Sequence, residues 1–158
     1  MMNNHLIFVS GASGVGKSTV IPHLKSLLPS NYQVRDFDEV GVPDNPTRDW
    51  RLEAIQFWIG IAGENYKESL TTVVCGVTEP EEVLKHSGTA YILLDASAES
   101  LQERLHNRYQ DNEQLIKDNI NHSRYLREQA MRYKCPIIDT SNIAPRQVAE
   151  EIVKIIIG

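Results

Sequence analysis

The chain is 158 residues long, 41% hydrophobic and 23% charged, which is an ordinary globular composition and enough chain for one domain (1–158) with its own core. Its 21 acidic against 16 basic residues give a net charge of −5, which argues against a nucleic-acid polymer as partner, since phosphate backbones need clustered Lys and Arg. No apolar run approaches the roughly 20 residues of a membrane span, Met1 to His5 lacks the basic start of a secretion signal, and Cys75 and Cys135 stand in no metal-ligand spacing, so a cytoplasmic protein with reduced thiols is expected.

Leu6 to Val9 is a continuous apolar run ending at Gly11, the pattern of a strand buried on both faces. A helix is expected from about Gly16 to Leu28, stopped by Pro29-Ser30-Asn31, with a kink at Pro22. Tyr32 to Arg35 reads as a second strand, running into Asp36-Phe37-Asp38 and a loop from Gly41 to Pro46. Asp49 is placed to cap a long helix reaching Ser69, with Trp50, Ala54, Phe57, Trp58 and Ile61 on one face. Thr71 to Cys75 is the third strand, and a short helix follows from Glu79. Tyr91 to Leu94 is the fourth, followed by a helix over 98–109 and a charged helical stretch, broken at Asp111-Asn112, that runs to Tyr133. Ile137-Ile138 makes the fifth strand, and Pro145 opens a last helix with Val148, Ile152, Val153, Ile155 and Ile156 facing inward. Strands alternating with helices imply an α/β fold, a five-stranded parallel sheet in a three-layer α/β/α arrangement. Ligands in such sheets sit at the carboxyl ends of the strands, where Gly11, Asp36, Gly76 and Asp139 fall.

Gly11-Ala12-Ser13-Gly14-Val15-Gly16-Lys17-Ser18 matches the phosphate-loop pattern G-x-x-x-x-G-K-[ST] at every fixed position. Small residues let backbone N–H groups turn inward around phosphate oxygens, and the helix start adds its positive dipole end. Lys17 supplies a charge to the β- and γ-phosphates, and the Ser18 hydroxyl is placed for Mg²⁺. The pattern also arises by chance in turns that bind nothing, but here it follows a strand and opens a helix. ATP with Mg²⁺, held by Gly11 through Thr19, is the expected ligand.

Three chemistries compete for that site. Asp38 to Gly41 spells the D-x-x-G of GTPases, yet no N-K-x-D guanine-reading segment occurs. A hydrolase needs a metal carboxylate at the end of a buried strand; Asp95 has that place, but no Glu follows it to polarise a water, so it reads as a helix cap. A small-molecule kinase needs a carboxylate near the acceptor hydroxyl and arginines over the phosphates. Asp36 and Asp38, two apart, point the same way if the segment is extended. One would support the metal, for which Asp36 is taken with Ser18, and the other would receive the acceptor proton. Arg104 and Arg108 share a helix face; with Arg124, Arg127 and Arg132 they form either a solvated basic face or charges closing over the triphosphate. A nucleotide hydrolase or an ATP-binding regulatory module are the alternatives to the kinase.

Together the phosphate loop, Asp36-x-Asp38 after strand two, Ile92-Leu93-Leu94-x-Ala96 followed by Leu101-x-x-Arg104-Leu105-x-x-Arg108, and the closing Ile138-Asp139-Thr140-Ser141 resemble the nucleoside and nucleotide kinase-like branch of P-loop proteins, beside shikimate and gluconate kinases. The resemblance implies phosphoryl transfer to a small acceptor carrying a hydroxyl or phosphate, Lys17, Asp36, Asp38, Arg104 and Arg108 as catalytic groups, a short helical lid over about 104–132, and an adenine near Asp139 to Asn142. The third strand ends Cys75-Gly76-Val77-Thr78, not in a glycine-rich acceptor loop. The segment from Gly41 to Trp58, with Asp44, Arg48, Trp50 and Arg51, matches no acceptor-binding pattern of that branch.

Overall fold

The computed structural model describes residues 3–158; Met1 and Met2, on which part of the reading of the N-terminus falls, lie outside the described residues. Among the described residues five strands alternate with six α-helices: β1 Leu6–Ser10, α1 Lys17–Leu27, β2 Tyr32–Asp36, α2 Arg48–Lys67, β3 Thr71–Cys75, α3 Pro80–Leu84, β4 Thr89–Asp95, α4 Ala98–Tyr109, α5 Glu113–Arg132, β5 Ile137–Asp139 and α6 Pro145–Ile157. The strands form one parallel sheet in the order β2-β3-β1-β4-β5. β1 lies at its centre, fully buried, which is why Leu6 to Val9 is apolar without alternation.

Alternate residues of β1 feed two cores. Ile7 and Val9 pack with Val20 and Leu24 of α1, Leu101 and Leu105 of α4, and Ile152 and Ile156 of α6. Leu6 and Phe8 pack on the other face with Ala54, Ile55 and Trp58 of α2, Val83 of α3 and Leu126 of α5. The three-layer architecture follows from that division. Helix α5 serves both sides: Ile116 and Ile120 join the first core, Leu126 and Ala130 the second. The 104–132 segment expected as a lid is therefore anchored at Leu105, Ile116, Leu126 and Ala130, and its exposed stretch is the α4–α5 turn, where Gln110 takes φ 52°.

Several local expectations are corrected. Thr47, not Asp49, caps α2, its hydroxyl accepting the Trp50 N–H at 3.1 Å. Phe57 is 49% exposed, whereas Ala54 and Trp58 on the neighbouring positions are buried. Helix α1 runs as expected past Pro22 to Leu27, with the missing N–H of that proline in the second turn. Asp95 is not a cap: Ser97 caps α4, with its hydroxyl accepting the Ser100 N–H at 3.1 Å.

Candidate active site

The phosphate loop joins β1 to α1, and its shape depends on backbone that side chains resist. Gly16 sits at the N-cap of α1 with φ 96°, and Gly14 has φ 90°. The Lys17 ammonium donates to the Ala12 carbonyl at 2.8 Å, folding the side chain back over its own loop. Burial pushes the Lys17 pKa down to about 8, helped by the Arg108 charge and opposed by Asp38, Cys75 and Asp36.

Arg104 and Arg108 reach this loop from α4 by different bonds. Arg104 donates to the Gly14 carbonyl at 3.2 Å, to the Thr140 hydroxyl at 3.0 Å and to the Thr140 carbonyl at 2.7 Å, pinning the loop to the segment after β5. Arg108 makes one bond, to the Ser13 hydroxyl at 3.1 Å, and that hydroxyl also meets the Tyr109 phenol at 3.0 Å. Arg104 is thus already committed to carbonyls, and Arg108 is the more available charge. Arg124, Arg127 and Arg132 do not join them: Arg124 donates to Asn121, Arg132 lies over the Tyr133 ring, and Arg127 pairs with Asp95.

Asp36 and Asp38 enter from β2, two strands away from β1, with β3 between. Asp36 aligns with Cys75, which in turn aligns with Val9, so the three strand ends stand level. The segment is not extended as expected. Asp36 caps a 3₁₀ turn over Phe37–Val40, accepting the Asp38 N–H at 2.9 Å, while the Glu39 carboxylate accepts the Asp36 N–H at 3.1 Å. Gly76, directly after β3, lets this turn approach: a Cβ there would lie 2.2 Å from the Phe37 Cβ. Despite the changed backbone, both carboxylates line the same cavity, about 560 Å³, as Lys17 and Ser18. Burial and the Asp36 charge raise the Asp38 pKa above the usual carboxylate value, against the pull of Lys17.

The rest of the cavity wall is Ser13 to Ile21 of the loop and α1, Cys75 to Val77 after β3, Arg104 and Arg108, and Thr140, Ile143, Pro145 and Val148 near α6. Gly11 and Ala12 lie buried behind it. Cys75 is buried and its thiol is pushed up to about 12 by that burial, so it is an inert part of the floor. Asp95 is outside this wall: its carboxylate takes the Arg127 guanidinium and the Ser123 hydroxyl, the latter at 3.1 Å.

Sequence reasoning missed a second polar cluster two residues beyond Val77. Arg51 of α2 donates to Glu82 Oε1 at 2.8 Å, to Glu82 Oε2 at 2.6 Å and to Glu79 Oε2 at 3.0 Å. Tyr125 of α5 donates to Glu79 Oε1 at 2.6 Å, and half-buried His122 is held below its usual pKa by burial. The local signal was Glu79-Pro80-Glu81-Glu82 opening a helix, but the partner Arg51 is 28 residues or more away in sequence.

A loop with left-handed glycines, an inward lysine, a helix N-terminus and two carboxylates across one cavity fits a nucleoside triphosphate with its metal. The chain has the fold of P-loop small-molecule kinases. It is similar to a gluconokinase from Sinorhizobium meliloti 1021 (TM-score 0.69, 19% identity, 98% of this chain and 92% of that one). It is similar likewise to a sugar kinase from Janibacter sp. HTCC2649 (TM-score 0.67, 16% identity, 96% and 93%) and to shikimate kinase from Aquifex aeolicus (TM-score 0.62, 21% identity, 94% and 94%). No protein-family model matches the chain, and no curated protein matches it in sequence.

Proposed function

We propose that this chain transfers the terminal phosphoryl group of ATP to a hydroxyl of a small acceptor. The observation that carries the reading is the placing of carboxylates: Asp38 opens into the cavity of Lys17 and Ser18, whereas Asp95 is neutralised by Arg127. A hydrolase reading needs the reverse, with Asp95 free beside Ser18. The names of the similar structures, sugar kinase, gluconokinase and shikimate kinase, point to the same reaction class.

In this reading the loop N–H groups and Lys17 bind the β- and γ-phosphates, and the lysine gives up its bond to Ala12 to do so. Ser18 and Asp36 would hold magnesium, which when bound neutralises charge on the phosphates. Asp38 takes the proton of the acceptor hydroxyl as that oxygen bonds to phosphorus and the bridge to ADP breaks. Its raised pKa suits a group that must accept a proton. Arg108 offsets charge on the transferring group. The apolar wall of Ile143, Pro145 and Val148 suits the face of a base, beside the Asp139 to Asn142 turn. The test is ADP release from magnesium–ATP with and without a panel of small hydroxyl compounds; turnover that no acceptor stimulates would overturn the reading.

A further inference from the structure

One hydroxyl of the phosphate loop is used twice from the same helix end. Ser13 fills a variable place of the loop pattern, yet its Oγ accepts from the Arg108 guanidinium at 3.1 Å and meets the Tyr109 phenol at 3.0 Å. Arginine can only donate, so Ser13 is the acceptor toward Arg108, while its bond to Tyr109 can run either way. A proton given to the phenol makes the serine oxygen a better acceptor for the arginine. The two partners differ in freedom. Arg108 is exposed and flexible, whereas the Tyr109 ring is half-buried and packs against the core that holds Leu101, Leu105 and Ile116. Ser13 and Arg108 line the cavity, and Tyr109 is not among its lining residues. Tyr109 also closes α4: the next residue, Gln110, takes φ 52°, and its N–H goes back to the His106 carbonyl at 2.7 Å. The phenol is therefore the last fixed point of the helix before the chain turns away, and the Arg108 guanidinium lies 5.5 Å from the centre of that same ring. The Arg108 charge also reaches Lys17, adding to the effect of that lysine's burial.

We propose that Tyr109 is a positioning residue: through the Ser13 hydroxyl it clasps the end of α4 to the phosphate loop and keeps the Arg108 guanidinium at the place of the transferring phosphoryl group. The inference rests on the phosphoryl-transfer reading, in which Arg108 offsets charge on that group, and it names what holds the arginine there. A long exposed arginine left to itself spreads over many rotamers, and fixing it at the moment of transfer has an entropic cost. The clasp removes much of that cost in the free protein. When a terminal phosphate arrives, Arg108 exchanges the Ser13 oxygen for a phosphate oxygen, and the Tyr109–Ser13 bond stays made. Tyr109 itself touches no reacting atom.

The experiment measures binding of magnesium–ADP alone and with aluminium fluoride, which imitates the transferring phosphoryl group and does not require the acceptor to be known. Calorimetry should show the fluoride complex tighter than ADP in the wild-type protein. Tyr109→Phe keeps the ring and removes the hydroxyl. It should weaken the fluoride complex by about three- to tenfold, the worth of one hydrogen bond, with the Kd of magnesium–ADP changed by less than about twofold. Ser13→Ala breaks the same bond from the loop side and should weaken the fluoride complex at least as much. Adding Tyr109→Phe to Arg108→Ala should cost nothing further, because the phenol acts only through the arginine. An unchanged fluoride complex in Tyr109→Phe overturns the inference and leaves the kinase reading standing. So does a loss shared equally by magnesium–ADP, or one that recurs in full beside Arg108→Ala, since either marks a bond that only supports the fold. If the wild-type protein binds the fluoride complex no tighter than ADP, the role of Arg108 on the transferring group falls, and this inference with it; acceptor-stimulated ADP release tests the kinase reading separately.

Discussion

Lys17 meets conflicting demands in the structure. Burial favours its neutral form, with a pKa near 8, while its work on phosphates needs the charge. A polyanion entering the loop favours the ammonium, so binding raises the lysine pKa and takes up protons at and above pH 8, where the free protein has begun to lose its own. Calorimetry of nucleotide binding in buffers of different ionisation enthalpy should read that uptake, and Lys17→Ala should abolish it together with turnover. The fold should survive that change, since a desolvated charge is what is removed. The two carboxylates separate in the same way. Asp38→Asn is expected to lose acceptor-dependent phosphorylation while still binding magnesium–ATP; Asp36→Asn should raise the magnesium requirement yet keep the 3₁₀ turn, because the amide oxygen still accepts the Asp38 N–H. Arg108→Ala is expected to lower kcat by 10²-fold or more at little cost to stability, as steady-state kinetics beside thermal melts would show. Arg104→Ala should lower both, because its three bonds hold Gly14 to Thr140.

Between elements the controlling contacts are close approaches and one ionic cluster. Gly76→Ala forces a methyl group onto Phe37, whose Cβ cannot swing aside as a side-chain tip would. We expect a loss of about 1–3 kcal/mol in chemical denaturation, with a fall in kcat as the turn bearing Asp36 and Asp38 is displaced. Arg51→Met strands Glu82 without its cation and should cost about 3 kcal/mol or more. Much of the element map was legible beforehand. The helix over 98–109, its break at Asp111-Asn112 and the five strands follow from period and punctuation, which are local. What was not legible is non-local or cooperative. Asp95 looks like a strand-end metal ligand or cap until Arg127, 32 residues on, is brought against it. Asp36-Phe37-Asp38 reads as extended when it is taken as the run-out of β2, although Asp36-x-x-Glu39 carries the capping-box spacing that closes the 3₁₀ turn. Thr47 was overlooked because Asp49 is as good a cap, and the choice between them depends on where Arg48 enters the helix.

Across the whole molecule, the sheet order β2-β3-β1-β4-β5 puts the phosphate loop at the centre and the acidic turn two strands away, leaving the cavity between them. The alternation of strands and helices implied a parallel sheet, but strand order is a matter of which crossovers pack, and periodicity does not record it. A ligand that bridges the loop, α4 and β2 should stabilise the fold as a unit. A non-hydrolysable ATP analogue with magnesium at about 100 times its Kd adds roughly 2.7 kcal/mol, on the order of 5–10 °C in Tm for a chain of this size. The shift should disappear in Lys17→Ala and shrink without magnesium, as scanning fluorimetry would read.

Helix α5 has Ile116 in one core and Leu126 in the other, with the α4–α5 turn exposed between Arg108 and Gln114. A rod buried at two stations on opposite sides of a sheet is held at both, so yielding near the phosphate loop is expected first in that turn. A protease should therefore find its first cut there, near Gln110 to Asn112. Severing the chain at that point leaves each fragment still seated in its own packing. The nicked protein should run as two bands on a denaturing gel, yet elute as one particle from a sizing column.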